Sequence, residues 1–176
     1  MGLKIGEKAY DFSLMGVNGK IYSFASFADS PILVVVFWCN HCPYVRAYED
    51  RTIDLARFYR YSGVKFAAIN SNDPVKYPED NFTNMKVRAK EVNYPFPYLW
   101  DETQEVARNY GAKHTPEFYL LDSERILRYH GALDDNWEDP LKVKTPYLRL
   151  AIEAVLQGKE PPVTETTPVG CSIKWR

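Results

Sequence analysis

A dominant charge is missing from this 176-residue sequence: 22 lysines and arginines stand against 23 aspartates and glutamates. That balance gives neither the phosphate-seeking surface of a nucleic-acid binder nor a polybasic membrane anchor, so neither partner is expected. Long apolar runs are also missing. The N-terminus turns charged at Lys4 and Glu7 before an apolar segment develops, and no uninterrupted stretch approaches a membrane span. A cytoplasmic protein is the expectation. Cysteine is scarce, with three in all and two of them three positions apart. This is not the evenly paired framework of a small secreted domain, and in a reducing compartment it points to chemistry or metal binding. No internal repeat or low-complexity tract competes with a single fold. Asn81-Phe82-Thr83 matches the glycosylation pattern and, without a secretion signal, is read as chance.

What is present is apolar material amounting to 45% of a one-domain length, enough for a single core. Asn18-Gly19, with its easy access to positive φ, predicts a tight two-residue hairpin between residues 12–14 and 21–24. Residues 32–38 are apolar on both alternating faces and rich in β-branched side chains, which predicts a strand buried in mid-sheet. Pro43 suits the first position of a helix, and Val45, Tyr48, Thr52, Leu55 and Phe58 follow as its inward stripe. Gly63 ends that helix, and residues 64–69 read as the second strand of a βαβ unit. Residues 73–97 form an inserted connection around a helix with Phe82, Met85, Ala89 and Val92 on one face. A short helix from about Thr103 stops at Gly111, and residues 118–121 and 126–130 make a second hairpin. Thr145-Pro146 opens a last helix with Leu148, Ile152 and Val155 inward and Gly158 as its stop. The expected fold is α/β: a central mixed β-sheet flanked by helices, with an N-terminal β-hairpin and an insertion after the second core strand. Residues 1–158 form this domain, and residues 159–176 an extended tail docked on it.

The chemistry sits in Trp38-Cys39-Asn40-His41-Cys42-Pro43. Two thiols three positions apart across a helix start close a small disulfide ring, and unpaired N–H groups at the helix end stabilise a thiolate, the species that attacks disulfides. Cys39, at the more exposed strand-to-helix junction, is the expected nucleophile with a depressed pKa, and Cys42 the resolving thiol. His41 between them adds positive charge when protonated, or is a solvated turn residue. Zinc is the alternative for the pair. A closed site needs four ligands, and beyond the pair the chain offers only Cys171 and scattered histidines, so no metal or cofactor is expected apart from a Cys39–Cys42 disulfide. Thr115-Pro116 is the second feature, since a proline directly before a strand shapes either a turn or a cis bond.

The cysteine segment and Thr115-Pro116-Glu117-Phe118 together resemble the thioredoxin superfamily. More narrowly, residues 39–45, Asn70-Ser71-Asn72-Asp73, Pro95-Phe96-Pro97-Tyr98-Leu99, Asp101-Glu102-Thr103-Gln104 and Gly170-Cys171-Ser172-Ile173-Lys174-Trp175 resemble the peroxiredoxin-like redoxins of the alkyl hydroperoxide reductase and thiol-specific antioxidant (AhpC/TSA) group. The resemblance implies a thioredoxin-like fold and thiol-disulfide exchange. It also implies a cis Pro116 that faces the cysteine pair and leaves the Thr115 backbone open to an extended substrate. Two departures matter. His114 stands where relatives often carry a cysteine, and the strand before the active site lacks their buried acid, which leaves Glu117 as the candidate proton acceptor or else a solvent-facing strand residue.

The leading expectation is a thiol-disulfide oxidoreductase acting on a protein or small-molecule disulfide or thiol and recycled by a thiol reductant or reductase. Trp38 would report its redox state. A peroxidase with Cys42 as peroxidatic thiol is the runner-up. The peroxiredoxin pattern Pro-x-x-x-Thr-x-x-Cys would place its proline on Val35 and its threonine on Cys39, and both positions fail. A client-binding module gated by the disulfide, without turnover, is the third reading. For Cys171 a buried structural role is favoured over that of a third redox thiol, with Ile173 and Trp175 on the same side of the tail.

Overall fold

The computed structural model describes residues 2–176. The hairpin consists of β1 (Leu14–Gly16) and β2 (Ile21–Tyr22), followed by β3 (Ile32–Phe37), α1 (Pro43–Tyr59) and β4 (Val64–Asn70). The insertion carries α2 (Phe82–Val92) and leads through β5 (Tyr98–Trp100) and α3 (Glu105–Tyr110) to β6 (His114–Thr115). After these come β7 (Glu117–Leu121), β8 (Leu127–Gly131), α4 (Tyr147–Leu156) and, in the tail, β9 (Cys171–Ser172). Seven strands form one mixed sheet in the order β2-β1-β5-β4-β3-β7-β8, while β6 and β9 pair apart from it. No helix among the described residues is long and apolar enough to cross a membrane.

The central strand explains its own sequence. β3 runs parallel to β4 and antiparallel to β7, so both its faces are covered. Val34 and Val36, with Trp38 beyond the strand end, face a core shared with Val45, Tyr48 and Ile53 of α1 and Leu148 and Ile152 of α4. Leu33, Val35 and Phe37 face a second core with Phe12, Ala107 and Tyr110. A strand buried on both faces has no polar alternation to keep.

Three local readings change. The hairpin loop holds three residues, Val17-Asn18-Gly19: Gly16 N–H bonds the Lys20 carbonyl, and Gly19, at φ +83°, donates back to Gly16. Positive φ is needed at Gly19 alone, which is the three-residue alternative to a two-residue turn. On α1, Phe58 is 68% exposed and Tyr59 takes the core position, because the stripe steps from Thr52 through Ala56 to Tyr59. β5 pairs with both β4 and β1, yet its three residues between a Pro-Phe-Pro segment and an acidic turn are too short to show a period.

Candidate active site

β3 reaches the site because pairing continues one residue past its end, with Trp38 N–H bonding the Ile69 carbonyl at 2.8 Å. The chain then breaks from the sheet, and Cys42 becomes the N-cap of α1 with Pro43 at the first helical position. There the missing N–H of proline costs nothing. Cys39 and Cys42 converge on one residue across the sheet. Cys39 Sγ lies 3.4 Å from Thr115 Oγ1, and Cys42 Sγ lies 3.3 Å from the Thr115 carbonyl oxygen. The Thr115–Pro116 peptide bond is cis.

The third cysteine belongs to the same cluster. β9 pairs with β6 so that Cys171 stands opposite Thr115, and Cys171 Sγ lies 2.7 Å from Cys42 Sγ. The edge beside the cis-proline, expected to be open, is therefore filled by the chain's own tail. Cys171 packs on the α1 side of the sheet whereas Ile173 and Trp175 pack on the other, so the three do not share one side. The reason is the course of the tail, which crosses the sheet end instead of lying flat on it: Ile173 N–H bonds the Lys113 carbonyl, and the Lys174 carbonyl accepts from Asp73 N–H.

The electrostatics reverse the expected order of the thiols. Cys42 is lowered to about 5, chiefly by the hydrogen bond from Cys39, against the opposing effect of burial and with further help from the Cys171 thiol and the Val45 N–H. Cys39 is pushed well above the ordinary thiol range by that same shared proton, by burial and by the carboxylate of Asp80. Nor is Cys39 the more exposed residue, at 2% against 6% for Cys42. Asp80, whose carboxylate adds to the rise at Cys39, is fixed beside the loop by the Asn40 N–H, which donates to Asp80 Oδ1 at 2.8 Å.

Asp80 is the residue that sequence reasoning missed. It is buried, and its other oxygen accepts from Asn72 Nδ2 at 2.9 Å, while the Asn72 side-chain oxygen accepts from Lys174 N–H. Tyr98 of β5 donates to Asn40 Oδ1 at 2.7 Å, and the Asn40 amide donates to the Glu79 carbonyl. The insertion thus clamps the cysteine loop and, through Asn72, the tail. Its only sequence signal is the turn-forming Pro78-Glu79-Asp80 in a segment with no period.

The remaining expected residues divide. Trp38 is buried at the site, and its indole N–H donates to Tyr94 OH at 3.1 Å, which in turn donates to Glu49. His41 is exposed, and no hydrogen bond among the described residues ties it to either sulfur. Glu117 is buried, not solvent-facing, and is not brought to the thiols. Its carboxylate accepts from the N–H groups of Lys113 and His114, from Tyr119 OH and from His130 Nε2, and it faces the core opposite the cysteines. Burial alone would raise its pKa, but His130 and these donors outweigh burial and hold it below the usual carboxylate range. Glu117 is a structural anion, and the acid beside the pair is Asp80. Among the described residues no group of three or more His, Cys, Asp or Glu side chains is arranged to hold a metal ion.

Comparison with known proteins matches the AhpC/TSA family model to residues 5–130. A crystal structure of a hypothetical protein from Sinorhizobium meliloti 1021 superposes with a TM-score of 0.93 at 40% identity, covering 100% of this chain and 97% of that one. An uncharacterized conserved protein from Geobacillus kaustophilus superposes with a TM-score of 0.93 at 41% identity, covering 99% and 93%. Among curated proteins, the thiol:disulfide interchange protein DsbE of Vibrio cholerae serotype O1 is 26% identical over 143 residues, 78% of this chain and 71% of that protein.

Proposed function

Because this chain belongs to the AhpC/TSA family, whose model covers residues 5–130, its chemistry is sought at sulfur, and we propose that it is a thiol-disulfide oxidoreductase working through Cys39 and Cys42. The observation that carries the reading is the convergence of both sulfurs on Thr115 beside the cis peptide bond, at 3.4 and 3.3 Å, with thiolate-stabilising donors gathered on one of them. A dithiol that shares one proton is already ionised at neutral pH, and its second thiol is placed to close the ring. The interchange function in the name of the V. cholerae relative supports the same chemistry.

Cys42 is the attacking sulfur in this reading and Cys39 the resolving one. Attack by the Cys42 thiolate on a disulfide forms a mixed disulfide and releases one thiolate; attack by Cys39 on Cys42 Sγ then closes the Cys39–Cys42 bond and releases the second. The low pKa of Cys42 makes it a good leaving group when its disulfide is reopened, so the oxidised chain is the stronger oxidant for it. Substrates are protein or small-molecule disulfides and thiols, with a thiol reductant closing the cycle.

Turnover tests this. With dithiothreitol as donor, the chain should accelerate reduction of insulin disulfides, and Cys39→Ala and Cys42→Ala should each abolish it. With both neighbouring thiols removed, the Cys39→Ser/Cys171→Ser double variant should accumulate a mixed disulfide at Cys42. Wild-type rates in both alanine variants would refute the pairing, and faster turnover of hydrogen peroxide than of any disulfide would move the function to a peroxidase.

A further inference from the structure

The thiol nearest solvent is not in the pair. Cys39 and Cys42 are 2% and 6% exposed, while Cys171 is only half-buried. A thiol arriving from outside meets Cys171 first. Its sulfur lies closer to Cys42 Sγ, at 2.7 Å, than either paired sulfur lies to Thr115.

The tail is built to hold it there. Thr115 and Cys171 are register partners, Ile173 N–H bonds the Lys113 carbonyl, and Lys174 N–H bonds Asn72 Oδ1, each of the two bonds at 2.9 Å. Gln104 donates from its amide to the Lys174 carbonyl and accepts from Arg176 N–H. Gly170 permits the approach, because a Cβ there would lie 2.7 Å from the carbonyl carbon of Thr115. Backbone cannot yield as a flexible side chain can, so only glycine lets the tail lie this close.

We propose that Cys171 is a third redox thiol, through which the buried pair exchanges disulfides with dithiols outside the protein. The proposal rests on the dithiol reading above. In the oxidised chain Cys171 loses its proton and attacks Cys42 Sγ. The Cys42–Cys171 bond forms, the Cys39–Cys42 bond breaks, and Cys39 leaves with the electron pair and takes up the proton. A client thiol then attacks Cys171 Sγ, and Cys42 leaves as a thiolate. The client's second thiol attacks its first sulfur in the mixed disulfide and releases Cys171. Two electrons pass from client to chain, with no oxidant beyond the starting disulfide. Run backwards, the same steps reduce a client disulfide. The stabilised Cys42 thiolate favours breakage on its side when an outside thiol attacks Cys171.

The test uses the full chain, oxidised with diamide, quenched by acid and alkylation, and mapped as non-reduced peptides, beside insulin turnover. Cys39→Ser should give an intramolecular Cys42–Cys171 link. Cys171→Ser should still form the Cys39–Cys42 disulfide yet lose turnover. Gly170→Ala, which keeps all three thiols but displaces the tail, should lose the Cys42–Cys171 link in the Cys39→Ser background. Unchanged or faster turnover in Cys171→Ser, or no Cys42–Cys171 link in Cys39→Ser, would overturn the relay alone. Absence of the Cys39–Cys42 disulfide from both wild type and Cys171→Ser would overturn the dithiol reading and the relay with it.

Discussion

Single residues decide which sulfur carries charge. The Cys-x-x-Cys spacing made the pair legible, but charge on Cys42 is favoured by the proton it shares with Cys39 and, at Cys39, by burial and by a carboxylate that Asp80 brings from 40 positions away, and no local pattern encodes that. The reduced chain should therefore show thiolate absorbance for one sulfur with a midpoint near pH 5. Cys42→Ser should remove this step and Cys171→Ser should keep it, whereas a first midpoint at the ordinary thiol value of 9.0 would refute the assignment. Glu117 offers a second case. His130 is pulled down by burial and pushed up more strongly by Glu117 and Glu165, so its pKa is raised while that of Glu117 is lowered. The raised imidazole contributes stability that is fully present below its ordinary 6.5 and lost as pH rises through its folded value. The lowered carboxylate contributes above its ordinary 4.5 and is lost as pH falls through its folded value. His130→Ala, which strands a buried carboxylate, should cost about 3 kcal/mol between those ordinary values and less at alkaline pH. Urea titrations across pH check this; a pH-independent loss would mean that only packing was removed.

At the scale of elements, what the sequence showed was what repeats along a strand or helix. β3, α1, β4 and α4 announce themselves by runs and stripes, and Gly63 marks a helix end with its φ of +81°. A Cβ at Gly63 would also lie 2.9 Å from Pro31 Cδ. Gly63→Ala should thus cost about 1–2 kcal/mol, read as a lower urea midpoint at unchanged slope; an unaffected midpoint would show that the left-handed cap is not required. β5, β6 and β9 were illegible because two or three residues carry no period, and their pairing partners lie far off in sequence. The insertion was readable as a helix between prolines, but not as the source of Asp80 and Tyr94, whose polar contacts with the cysteine loop, like that of Tyr98 in β5, exist only once the sheet has assembled.

Across the whole molecule, the sheet delivers one loop, the cis peptide bond faces it, and the tail returns to close over both. The motif words of the sequence therefore fall within one cluster: the cysteine pair, Thr115-Pro116, the Asn70 to Asp73 turn and the Gly170 to Trp175 tail. A single oxidation then removes two thiols and leaves the third, whichever two sulfurs share the bond. Equilibration in glutathione buffers, with alkylation and mass counting of the remaining thiols, tests this most directly. Two of the three thiols should disappear together in one two-electron step, with a midpoint between about −270 and about −180 mV. Thiols lost one at a time, each carrying glutathione, or no thiols lost over that span, would contradict the account.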